Sequence, residues 1–235
     1  MYYSYYKVLL LLSVFLGTIM LYWPACRCAF VNFDDNIYVT EQPMVQKGLT
    51  RQSVLWAIRD GGRLTGNWQP LTMLSYQLDI LLAGGWKKGN EKHVAAVMHL
   101  HNIGLHACNT VMILGLLMWF LNGFQCEQKY KNVGFAVLGT LMWAWHPLRV
   151  ESVAWVASRK DVLCLFWYLA GHLFYVYALR NECRVYFCGP SEDPIVKDIH
   201  ESAKRDISYF ATYVCCVLAL ISKPIALVYP GTLAL

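Results

Sequence analysis

Repeated long apolar runs, bounded by short charged links, constrain this chain more than any other feature. Of its 235 residues, 57% are hydrophobic and only 15% charged, with a mean hydropathy of +0.37. Runs of roughly 18 or more apolar residues have the length that crosses a bilayer as helix. The pattern predicts an all-α, polytopic membrane helical bundle with spans at about 8–25, 93–121, 133–146, 161–179 and 207–229. Lys7 ahead of the first run also suits a signal peptide, but no small-x-small cleavage site follows, so an uncleaved span is expected. The lipid bilayer is therefore the first expected partner. The net charge of +5 is scattered between the runs, which points away from a nucleic-acid partner. Among the nine cysteines, Cys108, Cys164, Cys215 and Cys216 lie inside apolar runs as small hydrophobes. Cys26 and Cys28 have no second pair at zinc spacing.

The first outer loop, residues 30–92, opens with Phe-Val-Asn-Phe-Asp-Asp-Asn, two adjacent carboxylates at the foot of the first span. Asp34 and Asp35 read either as caps bonding their own backbone or as the chemical centre of the chain. Thr50-Arg-Gln-Ser before Val54, Leu55, Trp56 and Ile58 predicts a capped short helix ended by Gly61-Gly62. Asn67-Trp-Gln-Pro starts a second, amphipathic helix through Leu71, Leu74, Leu78 and Leu81/Leu82. Such helices lie on a membrane surface or pack as a small insert; the pattern leaves both open.

His99, Asn102, His106 and Asn109 follow at spacings of three, four and three, which puts all four on one helix face. Polar groups at membrane depth face an interior or a watery cavity. The stripe reads as helix-to-helix hydrogen bonding or as a ligand site. After the next link, His146-Pro-Leu-Arg149-Val-Glu151 and Ser158-Arg159-Lys160-Asp161 gather charge between two spans. An interfacial belt with Trp anchors would look like this, and so would a holder for a phosphate-bearing ligand. Alternation of the spans places Asp34, Asp35, Glu151, Arg159, Lys160 and Lys223 on one side of the membrane. That co-location, rather than any single motif, suggests a site.

Five motifs occur in order: the acidic turn, Asn67-Trp-Gln-Pro-Leu-Thr, the His/Asn stripe, His146 to Asp161, and Lys223-Pro224. Together they resemble the N-terminal membrane half of bacterial tetratricopeptide-repeat membrane proteins, which are similar to the eukaryotic transmembrane and tetratricopeptide-repeat O-mannosyltransferases. The resemblance implies a GT-C-type glycosyltransferase fold with amphipathic surface helices in the first outer loop. It also implies a catalytic acid in that loop, a polyprenyl-phosphate sugar donor and a protein acceptor. The expected membrane is the bacterial inner membrane, or the endoplasmic reticulum membrane in a eukaryote. By position, Asp34 and Asp35 match the loop's acidic pair. Arg149 stands where relatives often carry a second His, Ser158 where they often carry Glu, and Gln69 replaces a frequent His or Arg. No repeat of about 34 residues is present, and the last run stops abruptly, so an N-terminal fragment, inactive alone, is expected.

The implied chemistry is direct displacement at the anomeric carbon of a sugar, mannose among the candidates, by a Ser or Thr hydroxyl. Asp34 would take the proton, with Asp35 as alternative or orienting partner. General-base help of this kind is typically worth about 10² to 10⁴ in rate. His146, Arg149, Glu151, Arg159, Lys160 and Lys223 would form the donor phosphate and substrate site, its cations balancing the departing phosphate. No cofactor is implied, and a divalent cation is left open. A transporter, suggested by the His/Asn stripe and Lys223, and a non-catalytic membrane scaffold are the alternatives.

Overall fold

The computed structural model describes residues 2–61, 66–124, 129–187 and 194–233, and among these there is no β-strand. The first helix, α1 (Tyr2–Tyr22), is followed by a 3-10 turn, Trp23–Arg27, with Pro24 in its first positions. The outer loop then folds as a π-helical turn, Asn36–Thr40, and three helices: α2 (Pro43–Gln46), α3 (Arg51–Arg59) and α4 (Pro70–Leu82). The remaining helices are α5 (Glu91–Phe124), α6 (Lys129–Ala144), α7 (Arg149–Ala154), α8 (Arg159–Phe187), α9 (Pro194–Leu220) and α10 (Tyr229–Leu233).

Among the described residues, three helices are long and apolar enough to cross a membrane: Tyr5–Arg27, Glu91–Leu121 and Val156–Leu179. The expected runs at 133–146 and 207–229 do not form helices of that length. The apolar part of α6 is short, Asn132–Ala144. The run at 207–229 is not one helix: α9 ends at Leu220 and a 3-10 turn, Pro224–Val228, takes over. Pro224 lacks an N–H and disfavours a helical residue before it, which explains the extended backbone of Lys223 at φ −154°.

The capped helix in the outer loop forms as expected. Thr50 Oγ1 accepts from Ser53 N at 3.2 Å, and Ser53 Oγ accepts from Thr50 N at 2.9 Å. This reciprocal arrangement satisfies two donors at the helix start. Helix α4 buries Thr72, Met73, Tyr76, Gln77, Asp79 and Ile80, whereas Leu78, Leu81 and Leu82 are exposed. Leu78, Leu81 and Leu82 therefore point outwards, while Leu71 and Leu74 pack on the core beside a partly polar buried face.

The long helices alternate in direction, so the C-terminal ends of α1, α6 and α9 meet the N-terminal ends of α5 and α8. Tyr22 Oη donates to Ala144 O at 2.9 Å, tying α1 to the end of α6. Leu71 N donates to Ile221 O at 3.1 Å and Thr72 Oγ1 to Ser222 O at 3.0 Å, docking α4 on the end of α9. At mid-bundle α8 and α9 pack closely around Gly171. A Cβ there would overlap the Tyr229 hydroxyl and come within 3.0 Å of Cys215 Cβ. Gly171→Ala is expected to cost about 1–3 kcal/mol through overpacking. A melting temperature in detergent equal to wild type would show that Tyr229 moves aside freely.

Candidate functional site

The acidic turn sits on the junction between α7 and α8. Asp35 is 1% exposed. Its carboxylate accepts from Val31 N at 2.8 Å and from Ala157 N at 2.9 Å, so it pins the loop to the 3-10 turn Val156–Ser158. Asp34 is only partly buried and adopts a left-handed backbone, φ 60°. That conformation is open to Asp at modest cost and turns the two adjacent side chains to different surroundings. Among the described residues, the Asp34 carboxylate has no hydrogen bond or ion pair. Asp35 is thus the structural carboxylate and Asp34 the available one.

Burial pushes the Asp35 carboxyl up from its ordinary value. Its two backbone N–H bonds pull it down again, and Asp34 adds a smaller push upwards. Because the folded-state pKa is raised, the group favours the fold most below the unfolded pKa. That contribution is lost as pH rises through the folded value. Stability should therefore fall as pH climbs upward from the usual carboxylate value, 3.8. Asp35→Asn should remove that slope and leave one backbone N–H without its acceptor. Hydrogen bonds to a charged group are worth about 1.5–3 kcal/mol, so the Ala157 amide should exchange roughly ten- to a hundredfold faster in the variant. Wild-type protection of that amide would mean that Asp35 does not hold the loop.

Next to this turn, Tyr38 Oη accepts from Gln69 Nε2 at 2.8 Å and from Lys160 Nζ at 3.4 Å. The ammonium also lies 4.8 Å from the Tyr38 ring centroid. Lys223 forms an ion pair with Asp161, one residue after Lys160. Behind that pair, between α8 and the 224–228 turn, is a largely apolar cleft of about 270 Å³ lined by Cys164, Leu165, Tyr168 and Val228. Asp34, Lys160 and Lys223 therefore belong to one end of the bundle, as alternation of the spans implied. His146 and Glu151 are exposed on the same junction, and no contact joins them to Asp34.

Arg159 requires a correction. It was expected at the donor phosphate, but it is 0% exposed and its guanidinium is fully committed. Nε donates to Asn102 Oδ1, and Nη1 contacts Ser75 Oγ at 3.3 Å and His101 Nδ1 at 2.9 Å. Nη2 donates to Asp79 Oδ2 at 2.7 Å and to Met98 O at 2.8 Å. Four of its N–H groups donate to oxygens, and the fifth faces the His101 ring in a fully buried site, so none is open to a phosphate. Asp79 in turn holds His101, Oδ1 to Nδ1 at 2.6 Å. The sequence reading missed Asp79, His101, Tyr38 and Asp161. Asp79 carried a signal, since an acid flanked by Leu78 and Ile80 on a helix calls for a buried partner.

His99, Asn102, His106 and Asn109 are 2%, 0%, 1% and 0% exposed and face the bundle interior. Asn102 Nδ2 donates to Trp155 O at 3.0 Å, His106 Nε2 meets Ala144 O at 3.0 Å, and Asn109 Nδ2 donates to Val162 O at 2.9 Å. Ala144 ends α6, Trp155 lies in the break before α8, and Val162 lies in the first turn of α8. His106 meets a carbonyl at the end of α6, where helix carbonyls lack an intrahelical donor, while Asn102 and Asn109 tie α5 to the start of α8. Neither ring nitrogen of His99 has a partner. Among the described residues, no three His, Cys, Asp or Glu side chains converge as a metal group.

Fold and site together define an all-α membrane helical bundle whose one end carries a docked acidic loop. No family profile and no solved structure matches the chain. Over 130 residues, 52% of its length, it is 31% identical to Protein O-mannosyl-transferase TMTC4 of Mus musculus. Over 169 residues, 69% of its length, it is 28% identical to Protein O-mannosyl-transferase TMTC1 of the same species. Protein O-mannosyl-transferase TMTC3 of Homo sapiens is 27% identical over 159 residues. The matched stretches span only 17%, 16% and 15% of these three proteins. The similarity to the eukaryotic O-mannosyltransferases stated from the motifs therefore holds over the matched stretches.

Proposed function

We propose that this chain carries the acidic-loop part of a membrane glycosyltransferase that moves a sugar, mannose by analogy with its relatives, from a polyprenyl-phosphate donor to a protein Ser or Thr hydroxyl. The supporting observation is the Asp34 carboxylate, without a hydrogen bond or ion pair among the described residues, on a turn docked at the junction that also carries Lys160. The acceptor oxygen bonds to the anomeric carbon as its proton passes to Asp34. The bond from that carbon to the phosphate oxygen breaks, and its electron pair leaves with the lipid phosphate. In-line displacement inverts the anomeric centre. Lys160, and Lys223 released from Asp161, would balance the charge on the departing phosphate. Asp35 keeps the loop in register, and Arg159 supports it from beneath. A transporter is less well supported, because three of the four stripe residues are spent on backbone carbonyls.

The direct test is transfer of labelled mannose from mannosyl phosphoryl polyprenol to a Ser/Thr-rich peptide by membranes carrying the full-length protein. Incorporation above that of membranes lacking the protein is expected. A full-length protein that inserts and folds but transfers no sugar from any lipid-linked donor would favour a non-catalytic scaffold.

A further inference from the structure

Arg149 has surroundings that the glycosyltransferase reading does not use. Its guanidinium carbon lies 5.2 Å from the Trp143 ring centroid. Trp143 is itself backed by His106, with ring centroids 5.3 Å apart. The Arg149 Nε is buried without a hydrogen-bond partner. Its terminal nitrogens make no hydrogen bond among the described residues, and the side chain stays partly exposed. A buried, unanswered guanidinium donor is costly, and a planar cation with one face on an indole and an open edge suits a two-pronged oxyanion. The flanks supply the second observation. Trp145, Leu148 and Val150 are 43%, 74% and 51% exposed, an apolar rim around the cation at the end of a membrane bundle. Apolar side chains and Trp at that level enter the acyl boundary, which brings Arg149 to the depth of the headgroups.

We propose that Arg149, stacked on Trp143, is a binding site for the phosphodiester headgroup of an anionic membrane phospholipid. The motifs grouped Arg149 with the donor-phosphate residues; as a phospholipid site it draws on none of Asp34, Asp35, Lys160 and Lys223.

The test uses the full chain, purified in a neutral detergent with equal phosphatidylglycerol and phosphatidylcholine, and counts retained lipids by native mass spectrometry. The wild type should retain phosphatidylglycerol preferentially, and Arg149→Gln should lose about tenfold of that preference. Arg149→Lys, which keeps the charge without the fork, should fall between. A second variant, Leu148→Ser with Val150→Ser, withdraws the rim while leaving Arg149 and the core intact, and should also reduce retention. Wild-type retention in Arg149→Gln or in the rim variant overturns the proposal. So does full displacement of the lipid by millimolar inorganic phosphate, which would make the site one for a free anion.

Discussion

Asp79→Ala is expected to be among the most destabilising single changes in the described part of the chain. It would lower the unfolding free energy by about 3–5 kcal/mol, because it strands the Arg159 guanidinium at a fully buried position. Two further effects point the same way. His101 loses the acceptor that fixes its ring, and α4 loses its charged tie to α5 and α8. The decisive comparison is a double replacement, Asp79→Leu with Arg159→Met. Apolar pairs of similar volume often substitute for buried ion pairs at little net cost. The double variant should therefore recover much of the loss, short of wild type because the Asn102 Oδ1 and Met98 carbonyl lose the donors that Arg159 gave them. Thermal unfolding in detergent decides it. If Asp79→Ala melts with the wild type, the pair is solvated and Arg159 is available for a ligand after all.

Asp34→Asn should lower transfer by about 10²- to 10⁴-fold in the full-length protein, the usual worth of a general base. The amide keeps the shape of the side chain but cannot take the acceptor proton. Nothing in the fold leans on the Asp34 carboxylate, so protection of the Ala157 amide should stay at the wild-type level. Asp35→Asn, in contrast, should lower both activity and protection, since its carboxylate accepts from Val31 and Ala157. Lys160→Gln should raise KM for the lipid-linked donor more than it lowers kcat. Near-normal turnover in Asp34→Asn, with Asp35→Asn inactive yet still protected at Ala157, would exchange the roles of the two acids. Near-normal turnover in both would leave the turn as a structural cap.

What was legible in the sequence was what a local pattern records. The capping pair Thr50 and Ser53, the His/Asn stripe and the three long spans all follow from spacing within a few residues. Arg159 and Lys160 show where that reasoning stops. They are neighbours in one charged run and read as equivalent cations. Helix phase turns Arg159 onto an acid 80 residues upstream and leaves Lys160 at the surface beside Tyr38. No local signal separates them, because the partner that decides the matter is remote. The apolar run at 207–229 misled for a different reason. Its hydropathy continues through Lys223-Pro224, but hydropathy does not record a missing backbone donor, and the helix stops where the chemistry of proline requires it to.

The docking of α4 on the end of α9 also sets an order of events during synthesis. The Thr72 hydroxyl bonds a carbonyl 150 residues further along the chain. At translation rates of about 5–20 residues per second, that acceptor emerges roughly 8–30 s after the donor. Throughout that interval the outer-loop helices have no end of α9 to rest on. Until then α4 is held only by its contacts with elements made before the end of α9. The outer-loop helices therefore complete their docking late, once the end of α9 has been made.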